Sequence, residues 1–445
     1  MLSSATQLPG VQVEKQSHLF LASGFLFRLG LVFETFEDVR PLGIQIADYF
    51  FFASLLLFFC VPKKRLLEST GSGVLLSGAL ILAGSILSLT SGSNLSDAAG
   101  MLARIFILFV LFAPLSVVHS ASIRKNMIYL LAGIFANCVI VLLQASVFPG
   151  IVDVLTVNPT GSVSDWGQDV GRFAGLAGHP NILGLSVALG VLIGIGMLLS
   201  EREGYVRWVL IFEVAVCTLA AILSGSRTFF VSLVSGLIAL ALVQKLNRRL
   251  IMNCLVAIFV LWGSVSYFAP EMLSQYGNRL SATEANDTEN YGRLLTAAAA
   301  VAEISQKPIA GWGVEHFGEA GMTFFAEDNG FLGAHVSFLQ YWYAVGVLGA
   351  LGFLTLYVIP IMRMLRALKR KRSADSANAL RLGLSVYASL FVGANLHPIL
   401  FNRFLFVPLF IFAGFAAHAF GPKKAKTKVR RSAVQLPAPK LQVTS

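Results

Sequence analysis

The chain has 445 residues, of which 56% are hydrophobic and only 13% charged, with a mean hydropathy of +0.73. A soluble domain carries roughly a quarter charged residues, so this composition excludes a soluble globular protein and points to an integral membrane protein. The formal net charge of +11 follows the order of the apolar runs as membrane-topology charge, so no nucleic-acid partner is expected.

Residues 1–17 are polar and read as a short cytoplasmic tail. No basic segment with a small-residue cleavage site precedes the first apolar run, so no removable signal peptide is expected. Apolar segments then recur at 18–36, 42–61, 73–90, 101–118, 126–148, 181–199, 206–223, 227–243, 250–268, 336–360, 381–396 and 400–420. Each approaches the roughly 20 residues that a helix needs to cross the hydrocarbon core. The expectation is an all-α membrane protein of about twelve transmembrane helices, with ten or eleven as the alternative. The membrane domain spans 18–420 and includes one large polar interval, 269–335, which holds short helices outside the membrane. Residues 421–445 form a basic cytoplasmic tail suited to anionic headgroups. No internal repeat is visible.

The basic residues orient this string. With the N-terminus inside, cytoplasmic segments carry Lys15, Lys63-Lys64-Arg65, Arg124-Lys125, Arg202 and Arg207, Lys245 to Arg249, the run Arg363 to Arg381, and the tail after Gly421. The outer connectors keep only Arg40, Arg172, Arg227, Arg279, Arg293, Lys307 and Arg403. Both termini are therefore read as cytoplasmic. Cys60, Cys138, Cys217 and Cys254 all lie in or at the edge of apolar runs, and no disulfide or metal site is expected from them.

Basic residues on the outer side need another explanation. The connector 149–180 ends Gly171-Arg172-Phe173-Ala174-Gly175-Leu176-Ala177-Gly178-His179-Pro180-Asn181. Its glycines allow close backbone approach, and Arg172 offers a planar fork of donors matched to phosphate oxygens. Asn181 is read as the cap of the following helix. A second connector is only Ser224-Gly225-Ser226-Arg227-Thr228, whose arginine sits at the membrane boundary, where snorkelling is the bland alternative. In the third, 269–335, a helix-like pattern runs from Asn290 to Ile304 and carries Tyr291-Gly292-Arg293. That pattern puts Arg293 in the helix's first turn, where the helix dipole disfavours a cation. Lys307-Pro308 ends the helix and Gly311-Trp312-Gly313 makes a turn. His335 precedes the next apolar run and has the chemistry to accept a proton from a hydroxyl near neutral pH. A capping, interfacial histidine is the bland alternative for His335, as for His179, His316 and His397. The nine carboxylates of the third connector have no evident role.

The ordered set Gly171-Arg172-Phe173, Gly178-His179-Pro180-Asn181, Ser224-Gly225-Ser226-Arg227, Tyr291-Gly292-Arg293, Lys307 to Gly313 and Ala334-His335 resembles the bacterial O-antigen ligase and O-antigen polymerase superfamily. The likeness covers about 170–345. It departs at Val336, where the family often has Asn, and at Leu183, where glycine is expected one residue before Gly184. The resemblance implies a C-type glycosyltransferase-like fold in the bacterial inner membrane, with an active site facing the periplasm or exterior. It implies a metal-independent, inverting transfer without cofactors, from a polyprenyl-diphosphate-linked glycan to a glycan or lipid acceptor. Arg172, Arg227 and Arg293 would bind the diphosphate and His335 would be the general base. His179, Asn181, Tyr291, His397 and Arg403 are supporting candidates. Ligation of a finished polysaccharide is favoured over polymerisation of O-antigen, capsule or exopolysaccharide repeat units. A polysaccharide transporter or flippase is the third alternative; it predicts paired charges near the midplane, and Arg28, Asp48, Arg104 and Glu213 show no evident pairing in sequence.

Overall fold

The computed structural model describes residues 18–37, 39–40, 44–59, 73–91, 94–155, 173–201, 204–244, 287–322, 334–370, 373–397 and 402–420. Secondary structure among these residues is entirely helical. The first helices are α1 (His18–Phe33), α2 (Ile46–Phe59) and α3 (Val74–Ser88). Then α4 (Leu95–Phe106) passes through a π-helical turn, Ile107–Phe112, into α5 (Ala113–His119), and α6 (Ile123–Ser146) and α7 (Ile151–Leu155) follow. The remaining helices are α8 (Pro180–Leu198), α9 (Gly204–Ser224), α10 (Arg227–Val243), α11 (Asp287–Gln306), α12 (Ser337–Leu368), α13 (Ala374–Ala394) and α14 (Arg403–Phe420).

Every expected apolar segment within the described residues lies on one of these helices; the segment 250–268 lies outside them, as do Arg172 and both tails. Among the described residues, six helical stretches are long and apolar enough to cross a membrane, one of them being the run Leu95–Ser146. That run takes in two of the expected segments, divided where Ser122 leaves helical geometry (φ −96°, ψ 41°). Four apolar helices, α1, α2, α10 and α14, are shorter than the ~20 residues of a full crossing.

Small residues set the helix crossings, as they do where lipid supplies no hydrophobic drive between helices. Ser77 Oγ donates to the Gly352 carbonyl at 2.6 Å where α3 meets α12, and Ser385 Oγ donates to the Gly236 carbonyl at 2.7 Å where α13 meets α10. Ser23 and Ser54 exchange hydrogen bonds between α1 and α2. Helix α8 is buried continuously from Leu183 to Gly194, so it is a central helix enclosed by α6, α9, α10 and α13. By contrast, α9 exposes Tyr205, Trp208, Val209 and Phe212, the signature of a lipid-facing surface. The thiols of Cys138 and Cys217 are 3.7 Å apart between α6 and α9, buried and unbridged.

Helix α12 is broken inside the bundle. Val345 (φ −122°, ψ 18°) and Gly346 (φ 69°, ψ −164°) are non-helical, which interrupts its hydrogen-bond ladder. Unsatisfied backbone groups at membrane depth cost several kcal/mol each. Here the segment after α11 supplies the partners: Trp312 N–H donates to the Tyr343 carbonyl, Gly313 N–H to the Ala344 carbonyl, and Val347 N–H to the Pro308 carbonyl, at 2.8, 3.1 and 3.0 Å. The sequence Lys307 to Gly313 is thus more than a turn. It is the plug of a broken helix.

Candidate active site

Four chain segments meet at one end of the bundle. They are the approach to α8, the α9–α10 turn, the start of α12 and the end of α13. Phe173 N–H donates to the Leu223 carbonyl, and Ser337 Oγ donates to the Ala394 carbonyl at 2.7 Å. The segment leading into α8 is fixed from below by α6, with Leu176 N–H on Asn137 Oδ1 at 2.9 Å and Gly175 N–H on Gln144 Oε1 at 3.3 Å. Gly175 has φ 56° and lies against Asn137, so its lack of a side chain permits this approach.

Sequence reasoning made Asn181 the cap of α8; the structure gives that role to His179. His179 is extended (φ −147°, ψ 137°), as the residue before a proline prefers, and its Nδ1 accepts the Asn181 amide at 3.0 Å. Pro180 takes the first helical position, where its missing N–H costs nothing. The Asn181 side chain is thereby released for other contacts. Its Oδ1 accepts from Ser226 Oγ at 3.3 Å, and its Nδ2 lies 3.5 Å from His397 Nδ1. Ser226 is buried, and its amide donates to Ser224 Oγ at 3.2 Å across the tight Gly225 turn (φ 60°).

Around this polar chain three imidazoles are stacked. The His179 and His397 rings have centroids 5.0 Å apart at 21°, and the His397 and His335 rings 6.2 Å apart at 21°. His397 is the buried middle ring, 8% exposed, while His335 is half-buried at the rim. Arg227, half-buried, is the first residue of α10 and follows Ser226 directly. Gly184, the glycine one place late for the family pattern, faces Ser226 so closely that a side chain there would collide with its hydroxyl. The late glycine therefore still serves a close approach between α8 and the α9–α10 turn.

The third connector is tied to the same end. Ala300, Ile304, Ala320, Ala334 and Tyr343 form a small apolar core joining α11 to the residues just before α12. Glu303 Oε2 accepts the Gly321 amide at 2.7 Å, Glu315 Oε1 accepts the Asn94 amide at 3.1 Å, and Glu319 meets His316 at 2.7 Å. Three of the unexplained carboxylates are therefore internal staples. Lys307 lies 4.3 Å over the Trp312 ring and reaches the Ser91 carbonyl at 3.5 Å. Arg293 lies on α11 one turn before Thr296, whose hydroxyl donates to the Arg293 carbonyl. Because α11 begins at Asp287, Arg293 is beyond the first turn, and the dipole conflict read from sequence disappears.

The structure thus brings together His179, Asn181, His335 and His397, with Arg227 adjoining through Ser226. Arg293 is carried by α11, and Tyr291 lies on the same helix. Arg403 belongs elsewhere. It forms an ion pair with Asp48 and stands 5.9 Å over the Phe112 ring, so the pairing of Asp48 that sequence left hidden exists at the starts of α2 and α14. Sequence reasoning missed Ser226 as the bridge between motifs. It also missed a shared signal, since His179 and His397 each precede a proline and are thereby held out of helix. Among the described residues, no group of three or more His, Cys, Asp or Glu is arranged to hold a metal ion.

Residues 211–354 match the family described as O-antigen ligase. The match covers about a third of the chain and supports its likeness to the O-antigen ligase and polymerase superfamily. It runs from within α9, through α10 and α11, to the middle of α12, and contains Arg227, Arg293, Lys307 to Gly313, and His335. His179, Asn181 and His397 lie outside the O-antigen ligase segment in sequence but join its histidine in space. No curated protein matches the chain.

Proposed function

We propose that this protein is a membrane glycosyltransferase that moves a glycan from a polyprenyl diphosphate to an acceptor hydroxyl at the outer face of the inner membrane, as an O-antigen or polysaccharide ligase. The observation that carries this reading is the stacking of His335 with His397 and His179 at an end where α8, α10 and α12 all begin, Arg227 being the first residue of α10. Three helix N-termini bring their partial positive charge to the same end, which favours an anion. Arg227 stands in the field of one of them, so the two positive charges add toward an anionic ligand. Arg172 and Arg293 add forked donors from the two flanking connectors.

In the reaction, the acceptor oxygen attacks the anomeric carbon from the face opposite the diphosphate, inverting it. The acceptor's proton passes to an imidazole nitrogen of His335. The bond between the anomeric carbon and the phosphate oxygen breaks, and its electron pair leaves on the polyprenyl diphosphate. The arginines stabilise that developing charge. A donor anchored by an isoprenoid tail keeps its head group at the interface, where short α10 and half-buried His335 fit it.

Two measurements test the reading. Cysteine at position 335, probed with an impermeant thiol reagent in intact cells, is expected to label from outside; labelling only from the cytoplasmic side would end the proposal. Deleting the gene is expected to leave full-length polymer on the lipid carrier. Single repeat units on the carrier would instead make the protein a polymerase.

A further inference from the structure

We propose that His397 is a positioning residue for His335: its neutral ring presents a π face that stabilises the imidazolium formed when His335 takes the acceptor proton. The inference rests on the glycosyltransferase reading for its purpose, but not for its geometry.

His397 lies outside the O-antigen ligase segment and makes no step of the reaction itself. It is nevertheless the buried centre of the histidine stack, with His335 on one side and His179 on the other. Asn181 orients it. Ser226 Oγ engages Asn181 Oδ1, which turns Asn181 Nδ2, a donor only, toward His397 Nδ1 at 3.5 Å. That contact favours the His397 tautomer with Nδ1 unprotonated. His179 is held likewise, because its Nδ1 accepts the Asn181 amide. Both partners of the stack thus use Nδ1 as an acceptor, as neutral rings do. A cation over a neutral aromatic face is stabilised out to about 6 Å, the edge of which this pair occupies, and more so when partly desolvated. The same contact fixes the His335 ring plane relative to the start of α12.

Other ionisable groups stand on the elements that pack at this end. Arg227 opens α10 and Arg293 lies on α11. On α11 and the following segment, Glu303 and Glu315 are engaged by the amides of Gly321 and Asn94, and Glu319 is engaged by His316. Lys307 is directed at Trp312 and Ser91. On α12 itself Tyr341 and Tyr343 are buried.

The test is an NMR titration of ring-labelled histidines in the full-length protein in nanodiscs, without substrate. His397→Leu is expected to lower the His335 midpoint by about 0.5–1 pH unit, and His397→Phe, which keeps a π face, to hold it near the wild-type value. His119, buried between α1 and α5 and far along the chain from this stack, reports whether each variant is folded. An unchanged midpoint in the folded Leu variant overturns the inference. If the Leu variant does not fold, the Phe variant decides: a fallen midpoint overturns it and a retained one supports it. Failure of the parent reading looks different, because His335→Ala would then leave glycan transfer intact whatever the titration shows.

Discussion

At the scale of single residues, the site depends on positions far apart in sequence whose side chains were legible one at a time. The outer arginines and His335 stood out because orientation rules do not explain basic residues there. The stacking of His397 on His179 did not, because it depends on how α8 and α13 meet across more than two hundred residues. Asn181 was recognised as a helix-start residue, yet the preceding His-Pro pair takes the capping role and frees the amide to link Ser226 with His397. Two outcomes follow at this scale. Arg227→Lys is expected to lose most transfer activity although the charge is kept, because a point charge cannot reproduce the planar fork. Transfer at wild-type rates by the Lys variant, measured as glycan attached per cell, would show that Arg227 only snorkels. Asn181→Leu is expected to reduce transfer about tenfold or more through loss of ring orientation, in line with the cost of misplacing a catalytic group; full activity would detach the amide from the site.

Among the elements, the broken α12 and the segment Lys307 to Gly313 are the least expected feature. Sequence showed a proline and two glycines and yielded a turn. It could not show that the turn's amides complete a helix interrupted about thirty residues later. Glycine is required on both sides of the junction: Gly346 has φ 69° against the Ile309 carbonyl, and Gly311 has φ 76° against Ala344. Gly346→Ala is expected to destabilise the protein by at least the ~1–2 kcal/mol of a left-handed non-glycine residue, plus the collision. Gly100→Ala is the control, since a side chain there meets open space. Equal thermal stability of the two purified variants in detergent would contradict this account of the plug. The junction also explains how a long polar connector is held against the bundle, with Trp312 Nε1 on the Glu303 carbonyl and Trp342 Nε1 on the Pro308 carbonyl.

For the whole molecule, composition and basic-residue order disclosed a helical membrane bundle, and every expected apolar segment among the described residues is helical. Lengths were less legible, because hydropathy extends past helix ends: α1, α2, α10 and α14 stop short of a full crossing, while 95–146 is a run of helices divided at Ser122. The charges at the starts of α2 and α14 were also misjudged. Asp48 pairs with Arg403, and Glu34 is 2% exposed with both carboxylate oxygens lacking a hydrogen-bond partner among the described residues. This cluster lies at helix ends rather than at mid-bundle, which does not favour a transporter. Arg403→Leu is expected to cost about 3–5 kcal/mol by stranding Asp48, with partial recovery in Arg403→Leu/Asp48→Asn, read as the monodisperse yield in detergent; equal yields would contradict it. The central claim is that His335 drives glycan transfer from a lipid diphosphate, and it is tested most directly in cells whose only copy carries His335→Ala. Glycan on the acceptor and on the lipid carrier is measured together. The account predicts loss of acceptor-bound glycan with full-length polymer retained on the carrier, whereas wild-type amounts on the acceptor would contradict it.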